Sequence, residues 1–172
     1  MINSMLGAGG ARITRRLFAL LVLLGADAGA SAALAQQLDM TFSCSTTRSE
    51  DLGPTIYADS GEFKLDGNQI KSLRWESSLH RGTHGFDCSI DSDDGVQAET
   101  TEQGWRIRLS DPQAARAARG YDSPHGANCT VRLERDGDTV RIKPSCPVLC
   151  GSRNNFSELS VDLKTGGCRY EE

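Results

Sequence analysis

The chain reads as a mainly β protein: a small antiparallel barrel or sandwich of about eight strands with one short helix, stapled by disulfides. Three observations predict this. Apolar residues recur at every second place over most of the chain, the period of a strand with one buried face. Gly-containing turn pairs separate these stretches, as hairpins require. All six cysteines fall after residue 43 and form an even set, the mark of a disulfide framework.

Met40, Phe42 and Cys44 alternate in the first segment, then Phe63 and Leu65, then Leu73 and Trp75, with Asp66-Gly67 as the turn between the second and third. Ile70 is out of phase with Leu73 and Trp75, so the third strand is irregular or starts late. Phe86, Cys88 and Ile90 alternate with Asp87, Ser89 and Asp91, and Trp105, Ile107 and Leu109 with Arg106 and Arg108. Asp111 caps a helix with Pro112 in its first turn, Gln113–Arg119 as its body and Gly120 as its stop. Cys129, Val131 and Leu133 lead into Arg135-Asp136-Gly137-Asp138, and Val140 and Ile142 lead out, which is the clearest hairpin in the chain. Leu159, Val161 and Leu163 make a late strand, and Gly166-Gly167 turns the chain toward Cys168 and Tyr170.

Residues 1–35 are set apart as a signal peptide. Arg12, Arg15 and Arg16 precede the apolar run Leu17 to Leu24, and Ala33-Leu34-Ala35 supplies an A-x-A cleavage site. The run is shorter than the ~20 apolar residues of a spanning helix, so no membrane insertion is expected after cleavage. Thr14-Arg15-Arg16-Leu17-Phe18 also resembles the twin-arginine export signal. A single domain, residues 36–172, remains, and it is expected in the periplasm of a bacterium or outside the cell. The leader holds three of 19 cations and one of 23 anions, leaving 16 against 22 and a formal charge of −6. That sign opposes general binding to nucleic acid or anionic membrane.

In an exported chain Cys44, Cys88, Cys129, Cys146, Cys150 and Cys168 read as three disulfides. Six cysteines allow 15 pairings. A local Cys146–Cys150 clip is favoured, with the other four cysteines closing long loops.

Four constellations carry chemistry. His84-Gly-x-x-Cys88 and His125-Gly-x-x-Cys129 repeat one pattern 41 residues apart and assemble a Cys2His2 set suited to zinc or copper. Thiolates in an oxidising compartment pair with each other, so strand entry by two equivalent turns is the stronger explanation and no cofactor is expected. Asp91-Ser-Asp93-Asp94-Gly95 fails the calcium-loop register: with Gly95 at position six, Ile90, Ser92 and Thr101 stand where carboxylates are needed, so it is a polar turn. Arg106, Arg108, Arg132, Arg141 and Lys143 share the outward phase of three strands, a possible basic stripe for an anionic partner or glycan. Asp87, Asp91 and Glu134 share that phase and can absorb it as a charge ladder. Finally, Gly151-Ser152-Arg153-Asn154-Asn155 can present backbone N–H groups and a guanidinium to an anion, or can satisfy its own backbone as a turn.

No G-x-S-x-G, P-loop, G-x-G-x-x-G or H-E-x-x-H occurs. The first expectation is therefore a non-catalytic exported binding protein for a protein or cell-wall glycan partner in the envelope. The alternatives are a metal or redox protein using His84, Cys88, His125 and Cys129, and a small cell-wall hydrolase with a carboxylate pair.

The run Cys146-x3-Cys150-Gly151-x-Arg153-x-x-Phe156-Ser157 resembles an element of small exported β-domains of proteobacteria, some of them lysozyme-inhibitor-like. The resemblance covers about twelve residues together with the scheme of leader plus bridged β domain, and the Ser-Gly inhibitory loop of such inhibitors is not matched by Ser60-Gly61. It implies a stoichiometric protein ligand that plugs an active-site cleft with a loop.

Overall fold

Strict alternation from Gln37 to Cys44 and its continuation to Glu50 make β1 (Gln37–Glu50). It pairs antiparallel with β2 (Gly53–Asp66), which pairs with β3 (Gln69–Arg81), which pairs with β4 (His84–Asp91), an up-and-down sheet in the order β1-β2-β3-β4. A second antiparallel sheet of six strands runs β10-β9-β8-β7-β6-β5. Its members are β5 (Val96–Thr101), β6 (Gly104–Leu109), β7 (Thr130–Asp136), β8 (Thr139–Pro144), β9 (Leu159–Asp162) and β10 (Cys168–Tyr170). The computed structural model describes residues 36–51, 53–121, 128–146, 149–151 and 155–171. The leader assigned to 1–35, His125, and Ser152, Arg153 and Asn154 lie outside the described residues.

Side chains from the inner faces of both sheets join one apolar cluster, so the architecture is a sandwich. Phe42, Phe63 and Trp75 of the four-stranded sheet meet edge to face inside it. Ile70 is explained by a bulge: Lys64 faces Ser72 and Leu65 faces Ile70, so Lys71 is the extra residue and Ile70 returns to the core side. Gly61 lies mid-strand opposite Phe42 and Trp75, and a Cβ there would come within 2.6 Å of the Phe42 ring. The Ser60-Gly61 pair is thus part of a sheet and not an exposed loop.

The β7–β8 hairpin turns between Asp136 and Thr139, with Gly137 at φ +58° where a side chain would be strained. Helix α1 (Pro112–Ala118) begins as the sequence predicts, Asp111 Oδ1 accepting from the Ala114 N–H at 2.8 Å. Just beyond its end, Arg119 donates to the Ser89 carbonyl and to Asp94, each at 2.7 Å, which covers part of the β4 edge. The acidic run forms a 3-10 turn at Ser92–Asp94 closed by a reciprocal capping box between Asp91 and Asp94, a polar turn as expected.

All six cysteines are bridged, but not with the favoured local clip. Cys146 pairs with Cys129, because the end of β8 runs beside the start of β7, where Ser145 N–H donates to the Thr130 carbonyl. Cys150 instead reaches β4 and pairs with Cys88, and Cys44 on β1 joins Cys168 on β10 across the two sheets. Each bridge closes a long or medium loop, worth about 2–4 kcal/mol apiece.

Candidate functional site

Three strands of the four-stranded sheet run to 13 or 14 residues, against seven at most in the other sheet, and their far inner face mixes polar with apolar side chains. Cross-strand pairing sets three successive rows there: Cys44–Asp59–Ser77–Cys88, then Thr46–Tyr57–Leu79–Phe86, then Arg48–Thr55–Arg81–His84. Asp59 is 2% exposed, and it accepts from Trp75 Nε1 at 2.9 Å and from the Tyr170 hydroxyl at 3.0 Å. Burial pushes its carboxyl above the usual aspartate range, against the opposing pull of hydrogen bonds from Ser77, Tyr170 and Trp75. Tyr170 is pushed above the tyrosine range, first by burial and then by the Asp59 charge.

One row outward, Glu50 accepts hydrogen bonds from Tyr57 Oη, Thr55 Oγ1 and Arg81, while Arg81 Nε donates to Thr55 at 3.0 Å. The Tyr57 hydrogen bond, ahead of the Thr55 and Arg81 contributions, holds Glu50 below the usual carboxylate range. Arg48 lies over the rings of Tyr57 and Tyr170, 5.4 and 6.0 Å from their centroids. Phe86, although on the inward phase, is 48% exposed where the sheet outruns its partner. Cys44, Trp75, Phe86, Cys88 and Tyr170 are legible from sequence as strand positions and His84 as a turn residue, but the polar set Arg48, Glu50, Thr55, Tyr57, Asp59, Ser77 and Arg81 is not. The signal was present in Asp59, whose odd position puts a carboxylate on the same face as Phe63 and Leu65.

Two parts of the Cys146–Phe156 stretch, Cys150 and Asn155–Phe156, are tied beside these rows. Cys150 is bridged to Cys88 on β4. At the other end the Asn155 side-chain amide donates to the carbonyls of Ser77 (2.8 Å) and Phe86 (3.1 Å), joining β3 to β4. The Phe156 N–H donates to Ser77 Oγ at 2.8 Å, and its ring packs on Trp75 with centroids 4.9 Å apart. Phe156 takes φ +59°, the one positive φ of a non-glycine among the described residues. Of the predicted binding set, Gly151 is exposed beside the Tyr121 ring. Asn155 is buried and committed to sheet carbonyls, so it anchors the loop and offers no contact surface. Ser152, Arg153 and Asn154, between these two anchors, are outside the described residues.

A thiolate metal centre loses its ligands here: Cys88 and Cys129 are both in disulfides, His84 is exposed, and His125 is outside the described residues. Among the described residues no group of three metal-binding side chains converges. Asp59, the buried carboxylate among them, is too enclosed for a substrate to reach. No described helix is long and apolar enough to cross a membrane.

The five cations share one face and most of them are paired as a charge ladder, but their acidic neighbours differ from expectation. Asp87 and Asp91 lie on β4 in the other sheet, because phase along a strand does not say which sheet the strand joins. On the outer face of the six-stranded sheet, Glu99, Arg106, Arg132 and Lys143 form one cross-strand row. Glu134, Arg141, Ser160 and Arg169 form the next. No protein-family model matches the chain, and neither the curated proteins nor the solved structures contain a match to it.

Proposed function

We propose that the chain is an exported, non-catalytic binding protein that presents a loop anchored at Cys150 and at Asn155–Phe156 to a partner in the cell envelope, a lysozyme-type wall hydrolase or another envelope protein. The observation that carries this is the double anchoring of the loop: a disulfide to β4 before Gly151, and Asn155 and Phe156 fixed to β3 and β4 after Asn154. A segment held at both ends loses little conformational entropy on binding, which is the physical requirement for an inhibitor-like loop. Three disulfides fit an oxidising compartment, which supports export of a chain whose first 35 residues carry a leader pattern. The net negative charge favours encounter with a basic protein.

Titration of a lysozyme with the disulfide-bonded protein tests this directly, with residual wall hydrolysis as the readout. Stoichiometric inhibition is expected, and Arg153→Ala should abolish it while the melting temperature stays at the wild-type value. Undiminished inhibition by Arg153→Ala, or its unfolding, would return the loop to a purely structural role. Peptidoglycan turnover by the protein alone would overturn the non-catalytic assignment.

A further inference from the structure

We propose that Gln36 is a modification site: once residues 1–35 are removed, its α-amine closes on its own side chain to give an N-terminal pyroglutamyl lactam. This rests on the export reading, because only cleavage after Ala33-Leu34-Ala35 turns the Gln36 nitrogen from an amide into an amine. The step balances within one residue. The amine lone pair attacks Cδ, the C–N bond of a five-membered ring forms, and the Cδ–Nε2 bond breaks. Nε2 leaves as ammonia, carrying the proton that the amine sheds. No oxidant, cofactor or second substrate enters.

The fold holds Gln36 by the one group that the reaction leaves untouched. Gly67 N–H donates to the Gln36 carbonyl at 2.9 Å, extending the β1–β2 register by one pair. That carbonyl lies outside the lactam ring, so the bond survives closure. The two groups that react are held weakly. The Gln36 nitrogen makes no hydrogen bond among the described residues, and the Gly67 carbonyl accepts from Trp105 Nε1 at 3.0 Å instead. Side-chain Nε2 makes one long bond, to the Thr101 carbonyl at 3.3 Å, and Oε1 is enclosed without a partner. An enclosed acceptor left unpaired destabilises the open amide, so the fold does not defend it against closure.

Residue type supplies the remaining requirements. An α-amine titrates at about 7.7–8.0, so a share of it is neutral and nucleophilic near neutral pH. Nucleophile and electrophile belong to one residue, which gives the attack the advantage of an intramolecular reaction. Glutamine has the chain length that closes a five-membered ring. Gln37, the next residue, keeps its amide, because its nitrogen is acylated and it begins β1. The product opens on a neutral lactam and offers no free amine to an aminopeptidase.

The test is the intact mass of the full chain, expressed with its leader in a bacterial host and recovered from the periplasm with its disulfides closed. The expected mass is that of residues 36–172 less one ammonia. The N-terminal peptide should resist Edman degradation until pyroglutamyl aminopeptidase exposes Gln37. Gln36→Ala should be cut at the same bond and lose no ammonia. It should also melt with the wild type, because the one side-chain hydrogen bond it gives up is the long one to Thr101. A mass that retains residues 1–35, or a cut at another bond, would overturn the inference along with the export reading or its cleavage site. The expected cut with the ammonia retained after prolonged warm incubation would overturn the inference and leave export standing. Ammonia loss that persists in Gln36→Ala would put the chemistry at another residue and overturn it as well.

Discussion

On its inner face the six-stranded sheet buries only hydrocarbon and aromatic side chains, from Trp105 and Ile107 on β6 through Val131, Leu133, Val140 and Ile142 to Leu159 and Val161 on β9. The four-stranded sheet buries Asp59, Thr55 and Ser77 on the same face as Phe63 and Trp75. Their strands differ in length, and that difference explains the chemistry. Where the short sheet ends, the long one has no apolar partner layer, and its inner face is closed by Tyr170, Arg48 and the bridged loop. A buried polar group is tolerable only with its hydrogen bonds made. Asp59 has Trp75, Tyr170 and Ser77, and Ser77 in turn receives the Phe156 N–H. The apolar half specifies the sandwich, and the polar half specifies where the loop sits.

The largest expected effect lies in the apolar half. Ile142 is fully buried between neighbours from both sides of the hairpin. Ile142→Ala should cost about 2–5 kcal/mol, the range for a buried aliphatic truncation whose cavity cannot fully collapse. Urea unfolding at two pH values checks it: the loss should be the same at both, because no titrating group is involved. A loss below about 1 kcal/mol would mean that this layer repacks freely, against the close packing expected of a sandwich interior.

The apolar half is also the half that the sequence makes legible. Met40–Phe42–Cys44, Trp105–Ile107–Leu109 and Cys129–Val131–Leu133 announce their faces by phase alone, and Asp111-Pro112 announces the helix start. Strand β5 escapes this reading because Val-Gln-Ala-Glu-Thr-Thr is a sheet edge with only two small apolar positions, neither fully buried. Disulfide pairing escapes it for another reason: Cys150 meets Cys88 over 62 residues of chain, and nothing local encodes that distance. The candidate site divides the same way. The residues of the loop could be named, but the role of Asn155 could not, since the carbonyls it bridges lie 69 and 78 residues away. Asp59 was readable as a misplaced carboxylate, while Glu50 and Arg81, 31 residues apart, meet only because three long strands align.

A middle-sized effect is expected at the seam between the halves. Asn155→Ala removes two hydrogen bonds to Ser77 and Phe86 and leaves both carbonyls to find water at a buried position. The cost should be about 1–3 kcal/mol. Hydrogen exchange should localise it, with the Phe156 amide losing protection while Ile142 and Val161 keep theirs. Wild-type stability in this variant would show that the Cys88–Cys150 bridge and the Phe156–Trp75 contact hold the loop without the amide.

The smallest effect is the one that separates the halves most cleanly, because among the described residues only the polar half buries a carboxyl, Asp59. Burial holds Asp59 above its unfolded pKa, so the folded protein binds this proton more tightly than the unfolded chain does. Stability from this group is therefore complete below the unfolded pKa and is lost as pH rises through the folded one. Glu50, Glu62, Asp162 and Glu171 are shifted downward and work with the opposite sign, losing their contribution as pH falls, but they are solvent-facing and screened. Subtracting the pH profile of Asp59→Asn from that of the wild type cancels those shared carboxylates. The amide keeps an acceptor for the Trp75 N–H and resembles the protonated acid in carrying no charge. The wild type should thus lose stability relative to Asp59→Asn as the solution is taken from acid to neutral, measured by urea unfolding across that range. A flat difference would mean that the three donors offset desolvation fully, and a difference of opposite slope would mean that they outweigh it. Either result would make the far inner face an anion site built into the fold, with Asp59 as its permanent charge, in place of a carboxyl that burial tends to neutralise.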